Sequence, residues 1–219
     1  MNQNKSLNIL RNLALRLLGE ILPPIEMARI MSEEAENYSA LRFRDKIMRF
    51  LSLQEKDFEK SINFSSKFTK DSDGYKRNIT LLIDTIESIR DDYIIDVYGS
   101  LFRAFLAHLI DWNIFMRLTS VISNIYYDDL NFLKDNYETL LKGIQDKTMT
   151  VSDFIILEKF LSQGLCQYRL SPTLNTTGMI MPPSKTYYHT IFGIELIKCG
   201  IDYENYCKYE IQQQTASPT

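Results

Sequence analysis

The chain has 219 residues, enough for one domain or two small ones with a proper core. Hydrophobic residues make up 45% and charged residues 24%, ordinary globular usage that argues against wholesale disorder. A net charge of −3 weighs against a chain whose main task is holding nucleic acid, where a basic surface is expected.

Glycine (8) and proline (6) are scarce, which favours helices over many short strands and turns. Leu7, Leu10, Ala14, Leu17, Leu18 and Ile21 recur at helical spacing until Pro23-Pro24 stops or bends the helix. Arg11, Arg16 and Glu20 interrupt this apolar stretch, so it reads neither as a signal peptide nor as a membrane span. Its three basic residues before Gly19 leave two roles open, docking on protein or resting on a membrane surface. The expected location is cytoplasmic, with Cys166, Cys199 and Cys207 as reduced thiols.

A longer helical stretch is expected from near Ile25 or Ser32 to about Phe64, with Leu41, Met48, Leu51, Phe58 and Ile62 along one seam. Residues 32–70 hold 8 Lys or Arg and 7 Asp or Glu, the profile of a solvated helix. Residues 69–74 read as a loop. Asp71 and Asp73 before Gly74 resemble a fragment of a calcium loop, but the other ligand positions are missing. Three bundle helices follow. The first carries Ile79, Leu82, Ile83, Ile86 and Ile89; Asp91 or Asp92 caps the second, with Ile94, Val97, Leu101, Phe105 and Leu109. Asp111 caps the third, with Ile114, Phe115, Leu118, Val121, Ile122 and Ile125.

Beyond Tyr126 the pattern changes. Asp128 is placed to cap a helix closed by Gly143, and Ser152 to cap another followed by Gly164. Residues 165–170 read as a strand, 171–184 as a polar and Gly/Pro-containing wing, 186–189 as a return strand, and Thr190 opens a last helix. Helix, helix, hairpin, helix in this order resembles the winged-helix superfamily. The residues that carry the resemblance are Leu157-Glu-Lys-Phe-Leu-Ser-Gln-Gly-Leu165 and Tyr187-Tyr-His-Thr-Ile-Phe-Gly-Ile-Glu-Leu196. In that superfamily the second piece commonly reads tyrosine, threonine, a spacer, glycine, leucine. The resemblance covers residues 119–200. The whole architecture also resembles uncharacterised helical bacterial and phage proteins, which implies a role in phage defence or its inhibition.

The resemblance implies two functions. In DNA-binding members the helix before the hairpin enters the major groove, and here it would use Lys159 and Gln163, with Lys185 beside the wing. Against this, the same helix holds Asp153 and Glu158, the wing has no basic residue, and residues 150–219 hold 5 Lys or Arg against 6 Asp or Glu. The other reading is a module for protein contacts. Leu174, Met179, Ile180 and Met181 would be poorly buried on a hairpin tip, and methionine suits adaptable surfaces, unless these residues fold back on the bundle.

Nothing in the pattern looks catalytic. His108 reads as a core or helix-surface histidine and His189 as a packed one. The acid pairs at Glu33-Glu34, Asp91-Asp92 and Asp128-Asp129 fall where helix dipoles favour negative charge. No glycine-rich phosphate loop and no metal-ligand spacing occur, so no cofactor and no metal are expected. The expected fold is mainly α, a helical bundle with a long N-terminal helix and a C-terminal winged-helix-like module containing a small β-hairpin. The divisions are 1–118, 119–205 and a polar tail at 206–219. The expected function is a non-catalytic protein-interaction subunit that binds another protein or itself; the alternative is a DNA-binding regulator.

Overall fold

The computed structural model describes residues 38–54, 73–174 and 180–208. It is mainly helical with one small antiparallel sheet in the C-terminal region, as the sequence predicts. Two compact units divide after Asn124. The expected N-terminal helix, Pro23-Pro24, most of the expected second helix and the tail beyond 208 lie outside the described residues.

The first unit contains α1 (Tyr38–Gln54), α2 (Asp73–Ser88), α3 (Asp92–Leu106) and α4 (Trp112–Ile122). α1 buries Ala40, Phe43, Ile47, Phe50 and Leu51. Of the expected seam Leu51 is buried and Leu41 is not, while Phe58 and Ile62 lie outside the described residues. Positions 40, 43, 47 and 50 share a face, while Leu41, about 100° around the helix from Ala40, is exposed. α2 starts at Asp73, so Asp73 and Gly74 belong to a helical first turn instead of a loop.

Two cations of α1 finish α2. Lys46 Nζ donates to the Glu87 carbonyl (2.8 Å) and Arg42 Nη2 to the Arg90 carbonyl (2.7 Å). Carbonyls at and just past a helix end lack intrahelical donors, and a basic side chain both supplies one and suits the negative end of the dipole. Arg49 grips Asp96 through two parallel hydrogen bonds of 2.6 Å, tying α1 to α3. Asp91 and Asp111 cap α3 and α4 by accepting from Tyr93 N (2.7 Å) and Ile114 N (2.8 Å).

The core of this unit is aromatic. Tyr98 stacks on Phe115 with centroids 5.8 Å apart and meets Phe50 at 5.4 Å, while Phe102, Phe105 and Trp112 complete the cluster around Phe115. The Tyr98 hydroxyl is fully buried, and burial pushes its pKa far above the ordinary phenol value. α3 stops at Leu106 because His108 takes φ 61°. His108 N then donates to Phe105 O (3.0 Å) and Leu109 N to Ala104 O (2.9 Å), a Schellman end. His108 is thus an exposed helix-terminating residue, not a core one.

The second unit runs α5 (Tyr127–Asp135), α6 (Tyr137–Lys142), β1 (Ile144–Gln145), a 3₁₀ turn (Asp146–Thr148), α7 (Val151–Ser162), β2 (Cys166–Leu174), β3 (Ile180–His189), α8 (Ile191–Glu195) and a π-helical turn (Leu196–Ile201). The sheet order is β1–β3–β2, all antiparallel. Two caps differ from expectation. Asp129, not Asp128, accepts from Tyr126 N (3.1 Å) ahead of α5. Thr150, not Ser152, caps α7, because Thr150 and Asp153 exchange hydrogen bonds in a capping box (3.2 and 3.3 Å). Both strands are longer than expected, and β1 is an addition.

One junction ties α7, β3 and α8 together. α7 ends in a second Schellman motif, Gly164 N donating to Leu161 O (3.1 Å) and Leu165 N to Phe160 O (2.9 Å), with Gly164 at φ 76°. Leu165 and Phe160 are both buried beneath it. Thr190 N donates to the Leu165 carbonyl (3.0 Å). The Thr190 hydroxyl donates to the Gly164 carbonyl (2.6 Å) and accepts from Gly193 N (3.3 Å), capping α8. A Cβ on Gly193 would lie 2.3 Å from the Leu165 carbonyl oxygen, so only glycine lets α8 sit this close.

The two glycines should fail in different ways. A Cβ at Gly164 meets nothing within 4 Å, so Gly164→Ala should cost only the left-handed backbone penalty, about 1–2 kcal/mol. Gly193→Ala forces backbone apart and should cost about 3 kcal/mol or more. Urea unfolding of the two variants should show that ranking.

Candidate functional site

α7 carries two apolar stripes. Leu157 and Phe160 point into the core, with Ile156 and Leu161 half-buried beside them. Val151, Phe154 and Ile155, spaced i, i+3, i+4, form a second stripe that faces solvent; Val151 is 78% exposed and Ile155 62%. A helix apolar on both sides satisfies only one of them by its own packing.

The sheet extends this exposed surface. Directly paired residues share a face, so Cys166, Tyr168 and Leu170 of β2 lie with His189, Tyr187 and Lys185 of β3. Tyr187 and Cys166 are buried, whereas Tyr168 and Leu170 are exposed, Leu170 to 56%. Tyr187 lies 6.4 Å from the Phe154 ring and 6.3 Å from the Tyr168 ring, linking the helical stripe to the strand.

At the centre stands a neutralised polar group. Glu158 Oε1 accepts from Lys185 Nζ (2.7 Å) and from the Tyr187 hydroxyl. The hydrogen bonds from Lys185 and Tyr187 hold the Glu158 carboxyl below its usual range. Burial, helped by Glu158, pushes the Tyr187 phenol up. The Lys185 ammonium also lies 4.9 Å from the Tyr168 ring centre, 5.7 Å from Phe154 and 5.9 Å from Tyr187.

Of the residues expected to face DNA, Lys159 forms a 2.5 Å ion pair with Asp129 and sits 4.4 Å from the Tyr126 ring centre. Lys185 is held as described, and the Gln163 amide oxygen is buried without a hydrogen-bond partner. The structure therefore brings Lys185 into the apolar surface and turns Lys159 to α5. Of the residues expected to face a partner, Leu174, Ile180 and Met181 lie on the hairpin, in the pairs Leu174–Ile180 and Thr173–Met181, and Met179 lies outside the described residues. Val151, Phe154, Ile155, Tyr168 and Leu170 were not singled out from the sequence. The signal was present in Val151-Ser-Asp-Phe-Ile-Ile-Leu157, whose apolar residues exceed what one face can bury.

Behind this surface, His189 is 6% exposed, 5.3 Å from the Tyr137 ring, and neither ring nitrogen makes a hydrogen bond. Burial lowers its pKa to about 4 and raises that of its cross-strand neighbour, the Cys166 thiol, to about 12. All three cysteines are free thiols. Among the described residues no group of His, Cys, Asp and Glu is placed to hold a metal ion, and no helix is long and apolar enough to cross a membrane. Comparison with protein-family models, curated proteins and solved structures finds no match.

The buried histidine sets a pH dependence. His189 is neutral in the fold down to about pH 4 but takes a proton from about pH 6.5 in the unfolded chain. The unfolded state binds more protons in that window, so the penalty is absent above it and grows as pH falls. The stability of the wild type should drop by about 3 kcal/mol between pH 6.5 and pH 4 from this group. His189→Leu should flatten that part of a pH series of urea midpoints.

Proposed function

We propose that this chain is a non-catalytic protein-interaction subunit that docks a partner protein on the outer face of α7 and the adjoining part of β2. The observation that carries this reading is the exposed stripe Val151, Phe154 and Ile155, continuous with Tyr168 and Leu170 around a lysine already paired with a carboxylate. Contiguous exposed apolar surface is costly in water and marks contact sites. Aromatic residues able to bury on contact are the usual anchors of protein interfaces.

The alternative, a winged-helix regulator on duplex DNA, would need Lys159, Gln163 and Lys185 to reach phosphates or base edges. Freeing either lysine means breaking an ion pair with Asp129 or Glu158. That cost supports the protein reading over it. A place in phage defence or its inhibition belongs to the same proposal as its biological setting.

Affinity capture of the full chain from its native host, with nuclease present, tests the reading. A partner protein should remain bound at stoichiometric level. Ile155→Asp, at a position 62% exposed, should leave the unfolding midpoint unchanged. It should weaken binding by about 2 kcal/mol, roughly thirtyfold. Loss of all bound material on nuclease treatment, with Ile155→Asp inert, would favour the nucleic-acid alternative.

A further inference from the structure

The docking face has two apolar flanks and a polar centre. α7 supplies one flank, Val151, Phe154 and Ile155, and β2 the other, Tyr168 and Leu170. Glu158 and Lys185 lie between them. The ammonium stands 2.7 Å from Glu158 Oε1, 5.7 Å from the Phe154 ring centre and 4.9 Å from that of Tyr168. Both hydrogen bonds to this carboxylate, from Lys185 and from the Tyr187 hydroxyl, fall on Oε1. Among the described residues Oε2 accepts none. The Glu158 side chain is 35% exposed and that of Lys185 30%, so whatever covers the face meets both.

We infer that the occupant is an amphipathic helix of another protein whose contact stripe carries no charge and sets a neutral donor, tryptophan or tyrosine, over Glu158 Oε2. The inference rests on the docking reading above and names the chemistry of its partner. Charge decides the stripe. A cation brought to Oε2 meets the Lys185 ammonium at the same carboxylate, and like charges close together under apolar cover repel strongly. An anion brought to Lys185 meets Glu158 in the same way. A charge placed over neither loses its water and gains no counter-charge. A neutral N–H or O–H on an aromatic body satisfies the open oxygen and covers apolar surface at once. The ion pair is thus a specificity filter at the centre of the face.

Geometry decides the element. The α7 flank repeats at i, i+3 and i+4, a ridge that fits between the ridges of a second helix. A strand added to the edge of β2 extends the sheet away from α7 and leaves Val151 and Ile155 in water. A helix of about 12–14 residues is about 18–21 Å long, which matches the 12-residue α7 it would lie along.

The test uses the full chain and fluorescein-labelled synthetic helical peptides of about 14 residues, read by fluorescence anisotropy. All share a leucine stripe at helical spacing and differ at one stripe position, which holds tryptophan, lysine or glutamate. The wild type should bind the tryptophan peptide at least about tenfold more tightly than either charged one. Lys185→Met, which leaves Glu158 unbalanced, should shift the preference to the lysine peptide. Glu158→Gln, which leaves Lys185 unbalanced, should shift it to the glutamate peptide. A pair that served stability alone would move all the affinities together. Ile155→Asp and Leu170→Asp should each weaken every peptide, since both flanks are used. If Lys185→Met fails to fold, Glu158→Gln, which keeps the shape of the side chain, decides. The inference is overturned if the wild type binds no peptide, if it prefers a charged one, or if neither variant changes the order. A native partner captured and then released by Ile155→Asp, with no peptide bound, would leave the docking reading standing and overturn this one.

Discussion

The carbonyl of Leu165 is the point on which the second unit turns. It receives the Thr190 amide, lies beside the Thr190 hydroxyl, and has Gly193 pressed beneath it. Leu165 is also the residue at which α7 becomes β2, and Thr190 the one at which β3 becomes α8. One oxygen therefore fixes where a helix ends, where a ladder closes and how near the last helix approaches. The orientation of α7 against the sheet follows from it. So does the meeting of Phe154 and Glu158 with Tyr168, Tyr187 and Lys185.

Parts of this arrangement are legible in the residues. Asp91 and Asp111 announce their helices because an aspartate before an apolar periodic run has a backbone amide to serve. Gly164 announces the end of α7 because little else adopts its backbone. Thr190 was legible as the start of the last helix, and the structure shows why a glycine follows three residues on: the Gly193 amide meets the Thr190 hydroxyl and its missing side chain leaves room for the Leu165 carbonyl. Other parts were hidden. Thr150 and Ser152 are both good caps, and the choice falls to Thr150 because Asp153 sits three residues on. The hairpin arms read as loop because Pro172, Pro182 and Pro183 seemed to forbid strand. All three prolines fall at the register shift between the Ser171–Ser184 and Thr173–Met181 pairs, where the ladder gives them no partner and no amide is missed. β1 itself, two residues long, carries no periodic signal at all.

The apolar surface was hidden for a different reason. Periodicity shows that α7 has more than one apolar stripe, but which stripe faces the core depends on the sheet, whose register is a long-range property. The charge density of α1 was misleading in a parallel way. Lys46 and Arg42 look like solvated residues in sequence, yet both serve carbonyls at the end of α2. Charge counted along a chain does not reveal which charges are already spent inside the fold.

The pairing of Lys185 with Glu158 carries a consequence for how such a surface behaves in different media. A basic site on a polyanion gains much of its affinity by expelling condensed small ions, and that gain fades as the medium becomes more saline. Here the ammonium is balanced before any partner arrives, so few ions are displaced when the surface is covered. What remains is contact between apolar side chains, which salting-out ions strengthen instead of weaken. A complex formed on this face as proposed would persist in concentrated electrolyte.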